Sequence, residues 1–128
     1  MKNHPRGHLV TQVAAMPADT NMNGDVFGGW LVSHMDMGAA IAARGQSKSR
    51  VVTAAIEHLS FLNRVFVGET VSCYADLIKT GRTSMHYKIE AWTVSFPDEH
   101  HIKVAEGTFV FVAIDENGKP QLADHTKR

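Results

Sequence analysis

The chain has 128 residues, 44% of them hydrophobic and 20% charged, and its 13 basic and 13 acidic residues give a formal net charge of zero. This balance is typical of one globular domain spanning residues 1–128, and it excludes a nucleic-acid-binding protein that relies on a basic surface. No apolar run has the length of a membrane span, and the single cysteine, Cys73, excludes an internal disulfide and suits a reducing compartment. We therefore expect a cytoplasmic protein with no nucleic-acid partner and no membrane partner.

The hydrophobic pattern predicts one strand, then one long helix, then four further strands. The helix begins near Gly28 and ends near Arg44, with Gly45 as its stop signal. Residues 1–7 and 119–128 are mostly polar and are expected to fray. This order of elements predicts an α+β fold, an antiparallel sheet wrapped around one long central helix. The predicted strands cover residues 9–16, 51–62, 70–80, 83–96 and 101–114.

Two strands carry more detailed predictions. In the strand 83–96, alternation places Met85, Tyr87, Ile89 and Ala91 on one face. In the strand 101–114, Gly107 indicates a bulge or a close approach of a neighbouring backbone.

The predicted helix is apolar almost all the way round, which is typical of a buried helix. Asp36 lies within it, beside Met35 and Met37. Burial of an unpaired carboxylate is expensive, so this acid needs a local reason. One interpretation is a general base or nucleophile at an active site. The others are a structural acid with satisfied hydrogen bonds, or an acid on an exposed strip of the helix.

The helix opens on two adjacent glycines, Gly28 and Gly29, preceded by Asp25. Small residues leave the first backbone N–H groups of the helix unobstructed, and the helix dipole adds positive potential there. Such a terminus can bind a phosphate or polarise a carbonyl oxygen. Glycines at a tight turn also occur for steric reasons alone, so both interpretations stay open.

A predicted turn combines two cations, Lys79 and Arg82, with the hydroxyls of Thr83 and Ser84. Cations and hydroxyls together favour contact with a phosphate-bearing ligand. A solvated hairpin turn has the same composition and is the more common meaning.

The eight histidines do not predict a metal site, because no ligand spacing links them. Cys73 lies in a predicted strand with no second cysteine nearby, which favours a buried and inert thiol. Sequence motifs of serine hydrolases, P-loops and dinucleotide-binding folds are absent.

From Leu9 to about Gly118 the chain resembles the YciA-like acyl-CoA thioesterases of the hot-dog fold. The helix motif is the most specific part of this resemblance. The matching segments are Met16-Pro17-Ala18-Asp19-Thr20-Asn21, Asn23-Gly24-Asp25-Val26-Phe27-Gly28-Gly29-Trp30, Met35-Asp36-Met37-Gly38, Arg50-Val51-Val52-Thr53, Gly81-Arg82-Thr83-Ser84 and Thr108-Phe109-Val110-Phe111-Val112-Ala113.

The resemblance implies hydrolysis of acyl-CoA to free CoA and a carboxylic acid, at a site shared by two protomers of a dimer. The dimers would assemble further into a hexamer, a trimer of dimers. Asp36 matches the catalytic acid of the family. Asp25 matches a polar residue that positions water or substrate from the facing chain, and Gly28 and Gly29 would polarise the thioester carbonyl.

For the CoA part of the substrate, the resemblance implies phosphate contacts from Arg82, Thr83 and Ser84. Relatives commonly have Lys-Pro after the second strand, where this chain has Asn63 and Arg64. Arg64 is the expected substitute for that nucleotide contact.

No cofactor or metal is expected, because a thioester is already activated and the reaction needs a base and an oxyanion site. Two other interpretations remain: an acyl-CoA-binding module without activity, and a hot-dog dehydratase of hydroxyacyl thioesters. The dehydratase reading ranks lower because no histidine lies in a motif that would pair it with an acid.

Overall fold

A five-stranded antiparallel sheet packs against one long helix in the computed structural model, which describes residues 4–95 and 97–123. The strands follow the spatial order β1-β3-β4-β5-β2, so β1 and β2 form the two edges. A short 3-10 turn, Pro17–Asp19, precedes the helix. The elements are β1 (His8–Ala14), α1 (Gly28–Ser47), β2 (Arg50–Phe61), β3 (Thr70–Thr80), β4 (Ser84–Ser95) and β5 (His100–Ile114).

The predicted order of elements and the wrapping of an antiparallel sheet around one helix are confirmed. Residue 96, predicted as the last residue of a strand, lies outside the described residues. The alternation predicted for β4 is also confirmed, since Met85, Tyr87, Ile89 and Ala91 are all buried on the side of the core. No helix in the described part of the chain combines the length and apolarity needed to cross a bilayer.

The helix continues beyond its predicted end, so the assignment of Gly45 as a stop signal was wrong. It ends at Ser47, and Lys48 follows in the left-handed conformation with φ of 58°. Ser47 is fully buried, and its Oγ donates a hydrogen bond to the carbonyl of Ala43 at 3.0 Å. Packing of this extra turn outweighs the cost of about 1 kcal/mol that a glycine adds inside a helix.

Only one face of α1 is buried in a single copy of the chain. Leu31, Met35 and Ala39 are buried against the sheet, whereas Met37 is 50% exposed and Ile41 57% exposed. The prediction that the helix is buried on all sides was therefore wrong for one protomer. Apolar periodicity cannot separate a face covered by the sheet from a face left for another molecule.

Gly107 lies where the backbone of β2 comes close to β5. A Cβ at this position would lie 3.2 Å from Leu59 Cδ1 and 3.3 Å from Leu59 Cα. The register of β2 against β5 shifts between Glu57 and Ser60, and His58 has a positive φ of 54° within that shift. The predicted close approach at Gly107 is confirmed, and the bulge lies on the facing strand.

Both ends of the described chain are held by hydrogen bonds. The backbone N–H of Arg6 donates to the buried carboxylate of Glu90 at 3.0 Å, and Trp92 Nε1 donates to the same oxygen at 2.9 Å. Residues 119–123 also make backbone hydrogen bonds, among them Ala123 N–H to the Arg82 carbonyl at 3.0 Å. These contacts anchor Arg6 and residues 119–123, fraying of residues 1–7 and 119–128 stays a prediction, and residues 1–3 and 124–128 lie outside the described part.

Candidate active site

Asp36 lies in the middle of α1, partly buried, and faces the edge strand β2. Thr53 Oγ1 donates a hydrogen bond of 2.9 Å to Asp36 Oδ1. This contact fixes the plane of the carboxylate and leaves Oδ2 without a partner among the described residues. Among the three interpretations of Asp36, the geometry favours an oriented acid at the border of solvent, which is suited to accept a proton or attack a carbon.

Thr53 is the functional candidate that sequence reasoning missed. Two signals marked it: it is a lone hydroxyl in the otherwise apolar segment Val51–Ile56, and it ends the matching segment Arg50-Val51-Val52-Thr53. The partnership with Asp36 joins residues 17 positions apart on a helix and a strand, so it depends on how these elements pack.

The start of α1 is free to bind a ligand. Phe27 is the N-cap residue and provides no side-chain cap. Within the described chain, no acceptor is found for the N–H groups of Gly28 and Gly29. A Cβ on Gly29 would meet nothing within 4 Å, whereas one on Gly28 would lie 3.2 Å from the ring of Phe61. Unsatisfied N–H groups at an open helix terminus are suited to polarise an oxygen.

A cleft of about 370 Å³ opens in front of this helix terminus. It is lined by Asp25, Gly28 and Arg64, and by the apolar side chains of Leu31 and Phe61. The structure thus brings together three of the residues singled out in the sequence. An apolar cleft with a few polar groups is the usual form of a small-molecule site.

Arg64 is engaged within the cleft. Its Nε lies 2.7 Å from Asp25 Oδ1, and its guanidinium stacks over the ring of Phe66 at 4.6 Å from the centroid. Arg64 therefore fixes the carboxylate of Asp25, a contact that sequence reasoning did not foresee. The pair joins a loop before α1 to the segment after β2, far apart in the chain.

Asp36 and the helix terminus are too far apart in one protomer to act on the same carbonyl group. Eight residues separate Gly28 from Asp36 on one continuous helix. At 1.5 Å per residue this is about 12 Å, whereas a reacting carbonyl needs both groups within hydrogen-bonding reach. One copy of the chain therefore contains two incomplete halves of the predicted site.

The turn before β4 lies at the opposite end of the sheet from the cleft. Gly81 N–H donates to the Ser84 carbonyl at 2.8 Å, and the Thr83 carbonyl accepts from Ala113 N–H at 2.9 Å. Arg82 is exposed and has no carboxylate partner in the described part of the chain. The structure does not bring Arg82, Thr83 and Ser84 into the cleft of Asp25.

The same turn is nevertheless near Thr53. The strand registers align Thr53 with Phe111 and Phe111 with Met85, the second residue of β4. Two strand spacings correspond to about 10 Å. Arg82, Thr83 and Ser84 thus lie within reach of an extended ligand bound at Asp36.

The structure groups no three histidine, cysteine, aspartate or glutamate side chains in a metal-binding arrangement within residues 4–95 and 97–123. Cys73 is fully buried in β3, and burial raises the pKa of its thiol. The predicted inert cysteine is consistent with this setting, because only the thiolate is reactive.

Comparison with known proteins points to one family. The family model of the thioesterase superfamily matches residues 23–95. The acyl-CoA thioester hydrolase YciA of Salmonella typhimurium is 48% identical over 124 residues, which cover 94% of this chain and 93% of that protein. A hexameric thioesterase from Yersinia pestis has a crystal structure that superposes with a TM-score of 0.90 at 46% identity, covering 94% of this chain and 98% of that one.

Three further structures are of variants with a substituted aspartate or threonine. A hexameric broad-specificity acyl-coenzyme A thioesterase carrying an aspartate-to-alanine substitution superposes with a TM-score of 0.91 at 41% identity, covering 94% of this chain and 89% of that one. An acyl-CoA hydrolase from Staphylococcus aureus, 28% identical with a TM-score of 0.83 over 89% of this chain and 70% of that one, was studied as an aspartate-to-alanine and a threonine-to-alanine mutant. Those two residues are 17 positions apart, the same separation as Asp36 and Thr53.

Proposed function

Because this chain belongs to the thioesterase superfamily, as a hot-dog acyl-CoA thioester hydrolase related to YciA, we propose that it hydrolyses acyl-CoA to CoA and a carboxylic acid at a site made by two copies. The observation that carries the proposed site is the hydrogen bond of 2.9 Å between Thr53 and Asp36. It presents an oriented carboxylate with one free oxygen at the surface of the helix.

In the proposed reaction, Asp36 supplies the basic or nucleophilic oxygen. As a general base, Oδ2 accepts a proton from water while that water attacks the thioester carbon. As a nucleophile, the same oxygen attacks the carbon directly, the C–S bond breaks, CoA leaves as the thiolate, and water then opens the resulting anhydride. In both cases Thr53 holds Oδ1 and so keeps Oδ2 aimed at the substrate. The aspartate and threonine substituted in the Staphylococcus aureus enzyme support this pairing.

The N–H groups of Gly28 and Gly29 stabilise the oxyanion that develops on the thioester carbonyl. Backbone donors at a helix N-terminus are fixed before the reaction, so they need no reorganisation as charge develops. The missing side-chain cap at Phe27 supports this role, because a capping group would compete for the same N–H groups.

Two protomers complete the site, with Asp36 from one and the glycine terminus from the other. The separation of about 12 Å within one helix supports this arrangement. Support comes from the exposed apolar residues Met37 and Ile41 on α1, and Val52 and Ile56 on β2, next to the unpaired edge of the sheet. Exposed apolar side chains beside an open strand edge mark an interaction surface.

Dimers assemble further into a hexamer, a trimer of dimers. The solved relatives that are described as hexameric support this assembly, at 41% and 46% identity. Mass measurement in solution by light scattering is expected to give six copies, and a stable monomer would contradict the shared site.

The remaining site residues position the two ends of the substrate. Asp25, fixed by Arg64, orients water or the thioester beside the glycine terminus. Arg82, Thr83 and Ser84 contact the phosphates of CoA, which is supported by their distance from Thr53 across two strand spacings.

The proposed reaction requires no resident metal or cofactor, because CoA is part of the substrate and the thioester is already activated. The partners are acyl-CoA and further copies of the chain. A cytoplasmic location fits this substrate.

Free thiol is expected to appear when acyl-CoA is mixed with the protein, and a thiol-reactive dye at pH 8 measures it directly. Cys73 does not contribute to the signal, since burial raises the pKa of its thiol and leaves little thiolate at that pH. A series of acyl chain lengths gives the preferred substrate. Tight binding of acyl-CoA without thiol release would favour the binding module instead.

Replacing Thr53 with valine is expected to lower kcat by ~10-fold with little change in KM, because the shape stays while the hydrogen bond to Asp36 is lost. Thr53→Ser keeps the hydroxyl and should retain most of the activity. Thr108→Val, the same substitution at a partly buried position on β5, is the control. Equal kcat in Thr53→Val and the wild type would show that this contact does not position Asp36.

A further inference from the structure

A second cleft lies at the opposite end of α1 from the glycine terminus. It has a volume of about 500 Å³ and is lined by Ile41, Arg44, Gly45, Lys48, Ser49 and Arg50, and we name it the basic cleft. Its three cations, Arg44, Lys48 and Arg50, have no carboxylate within 4 Å in the described part of the chain. Among the described residues, the Arg50 side chain donates only to the backbone carbonyl of Glu116, at 3.4 Å. The basic cleft therefore holds an uncompensated positive charge.

Lys48 occupies a backbone conformation that normally belongs to glycine. Its φ of 58° lies in the left-handed region, which costs a residue with a side chain ~1 kcal/mol or more. A cation at a helix C-terminus offsets the helix dipole, but Arg44 in the last turn already does so. This conformation ends the helix, since Lys48 N–H donates to the Arg44 carbonyl at 2.8 Å, and Lys48 lines the basic cleft together with Arg44 and Arg50.

The basic cleft also lies at the right distance from the proposed reacting group. Along α1, Arg44 is eight residues and Lys48 twelve residues beyond Asp36, or about 12 and 18 Å. The pantetheine arm, from the thioester sulfur to the first phosphorus, has the backbone length of about four extended residues, roughly 15 Å. Arg50 is three residues from Thr53 on β2, about 10 Å away.

The strand register places the turn of Arg82 at the same end of the sheet. Val51 of β2 pairs with Ala113 of β5, and Ala113 N–H donates to the carbonyl of Thr83. We infer that the basic cleft binds the phosphate groups of the acyl-CoA whose thioester lies at Asp36 of the same protomer, opposite the turn of Arg82. This inference rests on the proposed function and adds Arg44, Lys48 and Arg50 to the substrate contacts.

Calorimetric titration with free CoA tests the basic cleft without depending on turnover. Lys48→Gly removes the charge and also relieves the strained backbone, so it should bind CoA ~10-fold more weakly while its Tm stays equal or rises. Arg44→Ala should weaken binding by a similar factor.

Lys88→Ala, which removes a cation from the opposite face of the sheet, is the control and should bind CoA like the wild type. Added salt should weaken binding by the wild type more than by Lys48→Gly.

Kinetics with an acyl-pantetheine thioester, which lacks the nucleotide, separate the phosphates from the rest of the substrate. Lys48→Gly should raise KM for acyl-CoA ~10-fold and leave kcat/KM for the acyl-pantetheine unchanged. Unchanged CoA affinity in both variants would overturn the inference, as would an equal loss with acyl-pantetheine. An altered number of subunits in Lys48→Gly would overturn it too, by showing that the basic cleft is a subunit contact. If the wild type binds CoA but releases no thiol, the proposed hydrolysis fails while this inference stands.

Discussion

Asparagine in place of Asp36 is expected to lower kcat for acyl-CoA hydrolysis by ~10³-fold, within the range that a general base contributes. The side chain keeps its size and its carbonyl oxygen, so it can still accept the hydrogen bond from Thr53. It loses the basic oxygen that removes the proton of water or attacks the carbon. Because substrate contacts at Gly28 and in the basic cleft are untouched, KM should change little.

Two controls make the Asp36 result specific. Asp98→Asn removes an exposed acid at the β4–β5 turn and should keep full activity. Thermal unfolding of Asp36→Asn should match that of the wild type, which separates loss of chemistry from loss of fold. Activity within a factor of two of the wild type would rule out the role of Asp36.

A single turnover in water labelled with oxygen-18 separates the two chemical roles of Asp36. A general base places the labelled oxygen directly in the carboxylic acid product. A nucleophile passes its own unlabelled oxygen to the product, and retains the label in the protein, when water opens the anhydride at the carboxyl carbon of Asp36, so labelled Asp36 after one turnover identifies the nucleophile.

The second large effect is the recovery of activity when subunits of two inactive variants are combined in one dimer. Asp36→Ala and Asp25→Ala are each expected to be nearly inactive alone. In a mixed dimer, one site receives both substitutions and the other receives neither. Coexpressed, tagged heterodimers should therefore regain about half of the wild-type kcat per dimer, since one of two composite sites is complete. The distance of about 12 Å between Gly28 and Asp36 within one helix is the reason for this expectation.

Homodimers of each variant, purified with the same tags, provide the background for the mixing experiment. If both groups acted within one protomer, every site in the mixed dimer would carry one substitution, and no activity would return. A mixed dimer as inactive as its parents would thus refute the shared site. Light scattering on the mixture confirms that the subunits have assembled.

Local properties of the chain predicted most of its secondary structure and several of the candidate site residues. Apolar periodicity predicted the five strands and the long helix, because burial of one face imposes a period of two or 3.6 residues. The acid in the helix and the glycines at its start were singled out because they depart from that apolar pattern. The matching motifs then indicated acyl-CoA as the substrate, which physical reasoning from composition and spacing did not supply.

Other features depend on segments that meet only after folding. The bond from Thr53 to Asp36 and the pair of Arg64 with Asp25 each join different elements, and Arg44 and Arg50 line one cleft from α1 and β2. No periodicity encodes such contacts, because they depend on the packing of α1 against β2 and on the path of the loops. The extent of the helix beyond Gly45 was likewise decided by the burial of Ser47, a tertiary contact that outweighs local propensity.

The sequence by itself determined the elements and their order and singled out Asp36 as the candidate reacting acid, since these depend on neighbours along the chain. The tertiary structure confirmed the continuous helix that keeps the acid and the glycine terminus apart, and only it showed which face of that helix stays uncovered. A straight helix keeps its residues at a fixed rise, so Gly28 and Asp36 cannot approach each other in one protomer. The same structure leaves Met37 and Ile41 exposed where a second copy would complete the site.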